Sequence, residues 1–260
     1  MSAGGLIFDL DGTLILGELP LPGAKELLEA LQQEGIPYAV LTNNSSLSAR
    51  DHAARLRRLG LPVEWRRIFT SGAFAGRELA QRFPNLPVYL LGTPALAAEL
   101  AEAGVWVSEE EPQAVLVGFD RTLSYARLER ACFLLERGAR FFATHPDPAC
   151  PVEGGALPDA GALLALLEKA TGRRPERVFG KPDPAFLRYA TFRLGLAPED
   201  CLYVGDRAEV DLPLAQGAGA RAALVLTGAT RPEDPGIPEL RQHGVLVVDD
   251  LWELKRHILG

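Results

Sequence analysis

Short apolar runs alternate with amphipathic stretches along almost the whole of this chain, and that alternation restricts the fold more than any other feature. The run Gly5-Leu6-Ile7-Phe8 reads as a first strand. A helical pattern over residues 23–34 follows, with Leu27, Leu28 and Leu31 on one face and Gly35 at its end. A strand over 37–41, a helix opened by Ser48 and stopped by Gly60, and a helix over 71–81 continue the series. Further runs read as strands at 88–91, 105–107, 114–117, 140–144, 178–181, 201–204, 222–226 and 245–248. Helices are expected from Pro94, over 124–137, over 159–170, from Asp183 or Pro184 to Leu194, from Glu209 and at the carboxyl end. The runs are continuously apolar rather than alternating, as strands buried on both faces are. Strand–helix–strand repetition of this kind predicts an α/β protein with a doubly wound, Rossmann-like parallel sheet. Residues 145–158, with Pro146, Pro148, Pro151, Pro158 and Gly154-Gly155, read as a loop.

Four polar clusters fall where strands end or helices begin. They are Asp9 and Asp11 in D-L-D-G-T, Thr42-Asn43-Asn44, Gly180-Lys181-Pro182-Asp183, and Gly205-Asp206 with Asp211. In an open α/β sheet the crevice outside the carboxyl ends of the strands is where ligands bind, so clusters distant in sequence can meet there. Asp9 and Asp11 share a side if the extended geometry persists, and two carboxylates on one side invite a cation. Hard carboxylate oxygens suit a magnesium ion, and an ammonium with neutral donors suits a phosphoryl group. Lys181 stands out because the 27 Lys and Arg residues include only Lys25, Lys169, Lys181 and Lys255 as lysines.

Composition narrows the class. The formal net charge of −7 gives no support to nucleic-acid or anionic-membrane binding. The three cysteines, Cys132, Cys150 and Cys201, have neither disulfide-framework nor zinc spacing, which fits a reducing cytoplasm. Asp9 and Asp11 interrupt the only apolar stretch near the amino end, so no signal peptide is expected, and no run approaches a membrane span.

The ordered set DLDGT, TNN, GKPDP and GDRAEVD resembles the four motifs of the haloacid dehalogenase superfamily of phosphotransferases. The long interval between the second and third motifs holds VYLLG, VLVGFD and FFATHPDP, which resemble the nitrophenylphosphatase-like, type-IIA branch with a large inserted α/β cap. The resemblance implies a core over 1–78 and 177–260 with a cap over 79–176. It implies a magnesium-dependent phosphomonoesterase for small sugar, polyol or nucleoside phosphates, with p-nitrophenyl phosphate as an artificial substrate. Asp9 matches the nucleophile and Asp11 the general acid–base. Asp9, the Asp11 carbonyl and Asp206 match the cation ligands. Thr42, helped by Asn43 and Asn44, matches the phosphoryl hydrogen-bond donor. Lys181 matches the neutralising cation, and Asp211 the acid that orients it or a metal water. His145 and Asp147 lie on a loop of the kind that descends to select substrate, and dimers suit this branch. Val210 departs from the threonine that often precedes the last acid.

Three other readings stay open. A phosphomutase would move phosphate between substrate positions rather than release it. A dehalogenase has the nucleophile but needs neither a metal nor the second acid, so that Asp11 and Asp206 speak against it. A phosphate-sensing module would need no turnover. The letters Gly217-Ala-Gly-Ala-Arg-Ala222 match a dinucleotide fingerprint but follow a helix and precede a strand, the reverse of its context. His52, His243 and His257 read as solvated, and Arg55-Leu56-Arg57-Arg58 as a solvated helix face.

Overall fold

The computed structural model of this chain describes residues 4–152 and 154–260. Its contacts divide into two units. The first takes in the chain up to Thr42, His52–Phe69 and Pro182–Gly260; the second takes in Asn43–Asp51 and Thr70–Lys181. Residues 79–176, the expected insert, lie wholly within the second unit, which also holds 43–51, 70–78 and 177–181.

The first unit is built on a six-stranded sheet in the order Leu246–Val248, Arg221–Val225, Cys201–Gly205, Gly5–Phe8, Tyr38–Thr42, Ile68–Thr70. Numbered along the sheet's own sequence, that is the 3-2-1-4-5-6 order of the dinucleotide-binding folds. The first strand pairs in parallel with both neighbours, Leu6 to Tyr38 on one side and Phe8 to Val204 on the other. Leu6, Ile7 and Phe8 have no exposed surface, as a central strand covered on both faces requires. Helix Ala24–Gln33 buries Ala24, Leu27, Leu28 and Leu31 and packs with helix Leu251–Leu259. Helices Pro184–Leu194 and Ala208–Ala218 form a second pair, the latter against strands Cys201–Gly205 and Arg221–Val225.

The order reverses between Gly5–Phe8 and Cys201–Gly205. Crossovers leave those two strands in opposite directions, so their carboxyl ends open side by side with no connection over them. The backbone N–H of Asp9 donates to the Val204 carbonyl at 2.8 Å, and this bond carries the pairing one residue beyond the strand.

The second unit holds a four-stranded parallel sheet in the order Arg177–Val178, Arg140–Ala143, Ala114–Val117, Val88–Leu91. Tyr89, Leu91, Val115, Val117 and Phe141 form its core with Ala131 and Leu135 of helix Tyr125–Glu136 and Leu163 and Leu167 of helix Ala160–Thr171. Each helix opens on the side chain its sequence offers. Thr93, Ser124 and Asp159 accept backbone N–H bonds at the starts of helices Pro94–Glu102, Tyr125–Glu136 and Ala160–Thr171.

Several expectations are corrected. Residues 145–158 are not all loop: Ala149–Val152 and Gly155–Pro158 form an antiparallel ribbon, Pro151 opposite Ala156 and Pro158 opposite Ala149. A two-stranded ribbon is all edge, so a proline whose missing N–H faces outward costs no ladder bond. Glu153 lies outside the described residues. Residues 105–107 form no strand but a single bridge, Val107 to Val88. Pro87 precedes that bridge without an N–H, and Trp106 is 56% exposed. The run at 178–181 contributes only Val178 to the sheet, in the two-residue strand Arg177–Val178. The short strand Ile68–Thr70, the hairpin of Ile15–Leu16 with Leu19–Pro20, and helix Ile237–Gln242 are additional. No helix among the described residues is long and apolar enough to cross a membrane.

Glu99, on helix Pro94–Glu102, is a buried carboxylate in the second unit. Its Oε1 accepts from the Ala49 N–H at 2.8 Å and its Oε2 from the Thr70 hydroxyl at 2.7 Å. Burial is the largest influence and pushes its pKa up to about 7, against the opposing pull of these two bonds. The folded chain therefore holds this proton where the unfolded chain has lost it. Stability falls as pH rises from about 4.5 to about 7. The slope from this one group reaches at most about 1.4 kcal/mol per pH unit. Denaturant melts between pH 5 and 8 are expected to show a flatter dependence in Glu99→Gln than in the parent. An unchanged slope would assign the dependence to other groups.

Candidate active site

In the first unit, Asp9, Asp206 and Asp211 each bring a carboxylate oxygen within 4.8 Å of the others, and all three are buried. Asp9 follows the central strand and Asp206 follows its parallel neighbour, so the sheet register alone makes them neighbours. Asp211 arrives from the first turn of helix Ala208–Ala218. Three glycines make room for these acids. A Cβ on Gly12 or Gly228 would overlap the Asp206 carboxylate, and one on Gly205 would overlap that of Asp211. Gly12 also has φ +95°, which side-chain-bearing residues rarely adopt.

The two later acids are held differently. Asp206 Oδ2 accepts from the Ala229 N–H at 2.6 Å, and its backbone carbonyl accepts from Thr230 N–H at 3.0 Å. Asp211 Oδ1 accepts from the Tyr203 hydroxyl and Oδ2 from the Arg207 N–H, each at 2.9 Å. Both oxygens of Asp211 are thus engaged with protein donors. Val210, where threonine was the expected residue, contributes no side-chain bond here, and the tyrosine of the adjoining strand supplies one. Close buried carboxylates repel unless paired or metal-bound, and their hard oxygens match a small divalent cation.

Asp11 takes no part in that side-chain cluster. It sits three residues past the strand, in a turn where Gly12 N–H donates to the Ile15 carbonyl at 2.7 Å. Its Oδ1 lies 3.8 Å from Arg55 Nη1. Thr42 ends the strand Tyr38–Thr42 and is buried. Arg55 corrects the reading of its run as solvated: its side chain is only 12% exposed. His52, in the same helix Ala49–Arg58, has no exposed surface either. The buried positions His52, Ala53 and Leu56 form the inward stripe of that helix, and Arg55 borders it. That three-residue step from His52 was the signal available in the sequence.

In the second unit, Lys181 is 3% exposed, and the carboxamide of Asn43 brackets its peptide group. Asn43 Oδ1 accepts from the Lys181 N–H at 2.8 Å, while Nδ2 donates to the Lys181 carbonyl at 3.1 Å and to Asp147 Oδ2 at 3.0 Å. The acceptor and both donors of this side chain are committed, so Asn43 fixes Lys181 and Asp147. Gly180, at φ +72°, lets the chain pass: a Cβ there would meet the Thr144 carbonyl at 2.6 Å and Asn43 Oδ1 at 2.7 Å. Asn44 turns its Oδ1 back onto Ser46 N–H and Oγ at 3.1 and 2.7 Å.

His145 has no exposed surface. Its Nε2 lies 2.8 Å from Asp159 Oδ1, and its Nδ1 lies 2.8 Å from Thr144 Oγ1 and 3.4 Å from Ser71 Oγ. Ser71 in turn donates to the Asn43 carbonyl at 2.7 Å. Ser71 and Asp159 carried no site signal in the sequence, where each reads only as a helix start. The second unit therefore brings together Asn43, Lys181, Asp147 and, through Ser71, His145.

Comparisons with known proteins cover both units. A family model described as haloacid dehalogenase-like hydrolase matches residues 6–106, and one described as HAD-hydrolase-like matches residues 178–254. The 5'-nucleotidase YutF of Bacillus subtilis is 33% identical over 88% of this chain and 89% of its own. The ribonucleotide monophosphatase NagD of Escherichia coli is 34% identical over 90% and 92%. Among solved structures, a 4-nitrophenylphosphatase from Thermotoga maritima superposes with a TM-score of 0.89 at 38% identity, covering 98% of this chain and 97% of that one.

Asn43→Asp keeps the shape of the side chain but replaces its donors with acceptors facing the Lys181 carbonyl and Asp147. We expect at least about a tenfold loss of kcat/KM, since the two bonds lost include one to a charged group. Steady-state kinetics beside a thermal melt checks this; full activity in the folded variant would show that the bracket around Lys181 is dispensable.

Proposed function

Because this chain belongs to the haloacid dehalogenase superfamily, in its nitrophenylphosphatase- and NagD-like branch, we propose that it is a magnesium-dependent phosphomonoesterase acting on small phosphorylated metabolites through an aspartyl phosphate on Asp9. The observation that most supports this reading is the meeting of Asp9 and Asp206 where the strand order reverses.

The residues present fit a divalent cation: three buried carboxylates whose hard oxygens meet, with Gly12 and Gly228 packed so closely against Asp206 that neither leaves room for a side chain of its own. Asp9, Asp206 and the Asp11 carbonyl would hold it, with Asp211 steadying the group around it. The ion supplies positive charge against the phosphoryl oxygens.

The chain's own groups divide the remaining work. A carboxylate approaching a phosphomonoester meets like charge, about 4 kcal/mol for each unit pair at 4 Å and an effective dielectric near 20. Lys181 is the cation that offsets it, and Thr42 donates to a phosphoryl oxygen. An Asp9 oxygen bonds to phosphorus as the bond to the leaving oxygen breaks, and that oxygen takes a proton from the Asp11 carboxyl. Water then attacks the aspartyl phosphate, giving its proton back to Asp11 and freeing Asp9 with inorganic phosphate. Of the cap-loop pair, Asp147 is the candidate contact to the substrate. His145, enclosed with both ring nitrogens engaged, serves by holding that loop to Asp159 and Ser71.

The relatives' names cover nucleotides and a nitrophenyl ester, which supports a small phosphate ester as substrate and leaves the metabolite to experiment. Asp9→Asn is expected to abolish phosphate release while the protein stays folded. Chelator should silence the parent, and magnesium should restore it. Phosphate release would be followed over a panel of sugar, polyol and nucleoside phosphates. Near-normal turnover in Asp9→Asn would overturn the mechanism; metal-independent activity with halide release would replace it with dehalogenation.

A further inference from the structure

Arg55 lies outside every role assigned so far, yet its guanidinium stands beside Asp11. Its guanidinium reaches three ways. Nε donates to Glu18 Oε1 at 2.9 Å, Nη2 donates to the Gly17 carbonyl at 2.5 Å, and Nη1 stands 3.8 Å from Asp11 Oδ1. The first two contacts fix the guanidinium independently of Asp11. They tie it to the tip of the hairpin formed by Ile15–Leu16 and Leu19–Pro20. The third is ionic in length rather than a hydrogen bond.

Asp9 and Asp11 differ in what holds them. Asp9 is 5% exposed and continues the strand ladder through its N–H. Asp11 stands beyond the ladder, in a turn joined to Ile15 by a single bridge, and its side chain is 18% exposed. The turn's backbone is steadied by the Thr227 hydroxyl, which donates to the Gly12 carbonyl at 2.8 Å. That bond acts on the backbone and not on the side-chain torsions of Asp11. A fixed positive group beside one carboxylate oxygen favours one orientation of that side chain.

We propose that Arg55 is a positioning residue for proton delivery: anchored on Gly17 and Glu18, it orients the Asp11 carboxyl toward the leaving-group oxygen. The inference rests on the reading of Asp11 as the general acid. In that step the bond from phosphorus to the leaving oxygen breaks, an Asp9 oxygen bonds to phosphorus, and the Asp11 proton passes to the leaving oxygen. Arg55 touches none of the reacting atoms. Lysine cannot replace it, because one ammonium cannot span three acceptors set in different directions.

A purely structural arginine and a positioning one separate by leaving group. An alkoxide needs the proton as it leaves, whereas nitrophenolate is stable enough to depart without it. General-acid assistance is worth about 10²–10⁴-fold. The experiment measures kcat/KM, which reports the first transfer, for p-nitrophenyl phosphate and for the best alkyl phosphate found in the panel. The magnesium-loaded enzyme is compared with Arg55→Gln, Arg55→Lys and Asp11→Asn. The expected result is a selective loss: in both Arg55 variants the alkyl substrate falls at least about tenfold further than the aryl one, in the direction of Asp11→Asn but less severely. Equal losses on both substrates would make Arg55 a structural residue and overturn the proposal. Recovery of the ratio in Arg55→Lys would overturn the anchored-fork argument in favour of charge alone. If Asp11→Asn shows no selectivity, the general-acid reading falls first and this inference with it. If Asp11→Asn is selective and the Arg55 variants are not, only the inference falls. Should Arg55→Gln fail to fold, Arg55→Lys, which keeps the stem and the charge, carries the same test.

Discussion

The parallel pairing of Gly5–Phe8 with Cys201–Gly205 governs where the chemistry-bearing groups of the first unit can be. With Phe8 opposite Val204, the residues that follow each strand emerge at one edge of the sheet, and these are Asp9 and the Asp206 that succeeds Gly205. A one-residue slip would turn every side chain of the strand to the other face and part the two acids. Leu6, Ile7 and Phe8 have no exposed surface, so the strand is held at the centre of the sheet with both faces covered. The same strand end then needs Gly12, Gly205 and Gly228, because carboxylates brought this close leave no volume for a further carbon.

Many of the polar groups that the chain buries are matched by protein partners, as buried groups require, though Thr13 Oγ1 is buried without a hydrogen bond among the described residues. In the second unit Asn43 satisfies both polar groups of the Lys181 peptide and one oxygen of Asp147, and Ser71 satisfies the Asn43 carbonyl. His145 and Asp159 complete the series. A network of this kind gives direction to groups that a purely apolar core would leave free to rotate, at the cost of making each member dependent on the others.

Asp9, Asp11, Lys181 and Asp206 were legible in the sequence because each breaks or follows an apolar run, where a polar residue has no packing reason to stand. The sheet was legible for the same reason: buried parallel strands announce themselves as unbroken apolar runs. Arg55 was not, because periodicity arguments count the apolar positions of a helix and assign its arginines to solvent by default; a three-carbon stem lets such a residue border the buried stripe and still deliver its charge inward. The ribbon over 149–158 escaped because proline counts against strands in general, and only the all-edge geometry of two strands tolerates it. The run 105–107 misled in the opposite sense. Its β-branched residues suit a strand, but Pro87 beside the bridge leaves no donor there to extend it.

The distance along the chain between Asp9 and Asp206 has a consequence for biosynthesis. The nucleophile candidate is made well before the strand that pairs with its own, Cys201–Gly205. Until that strand leaves the ribosome, the amino-terminal strand has one flank without its final neighbour and no partner for its acid. A chain that has not yet reached that strand can therefore fold part of its sheet while Asp9 still lacks the neighbouring acid.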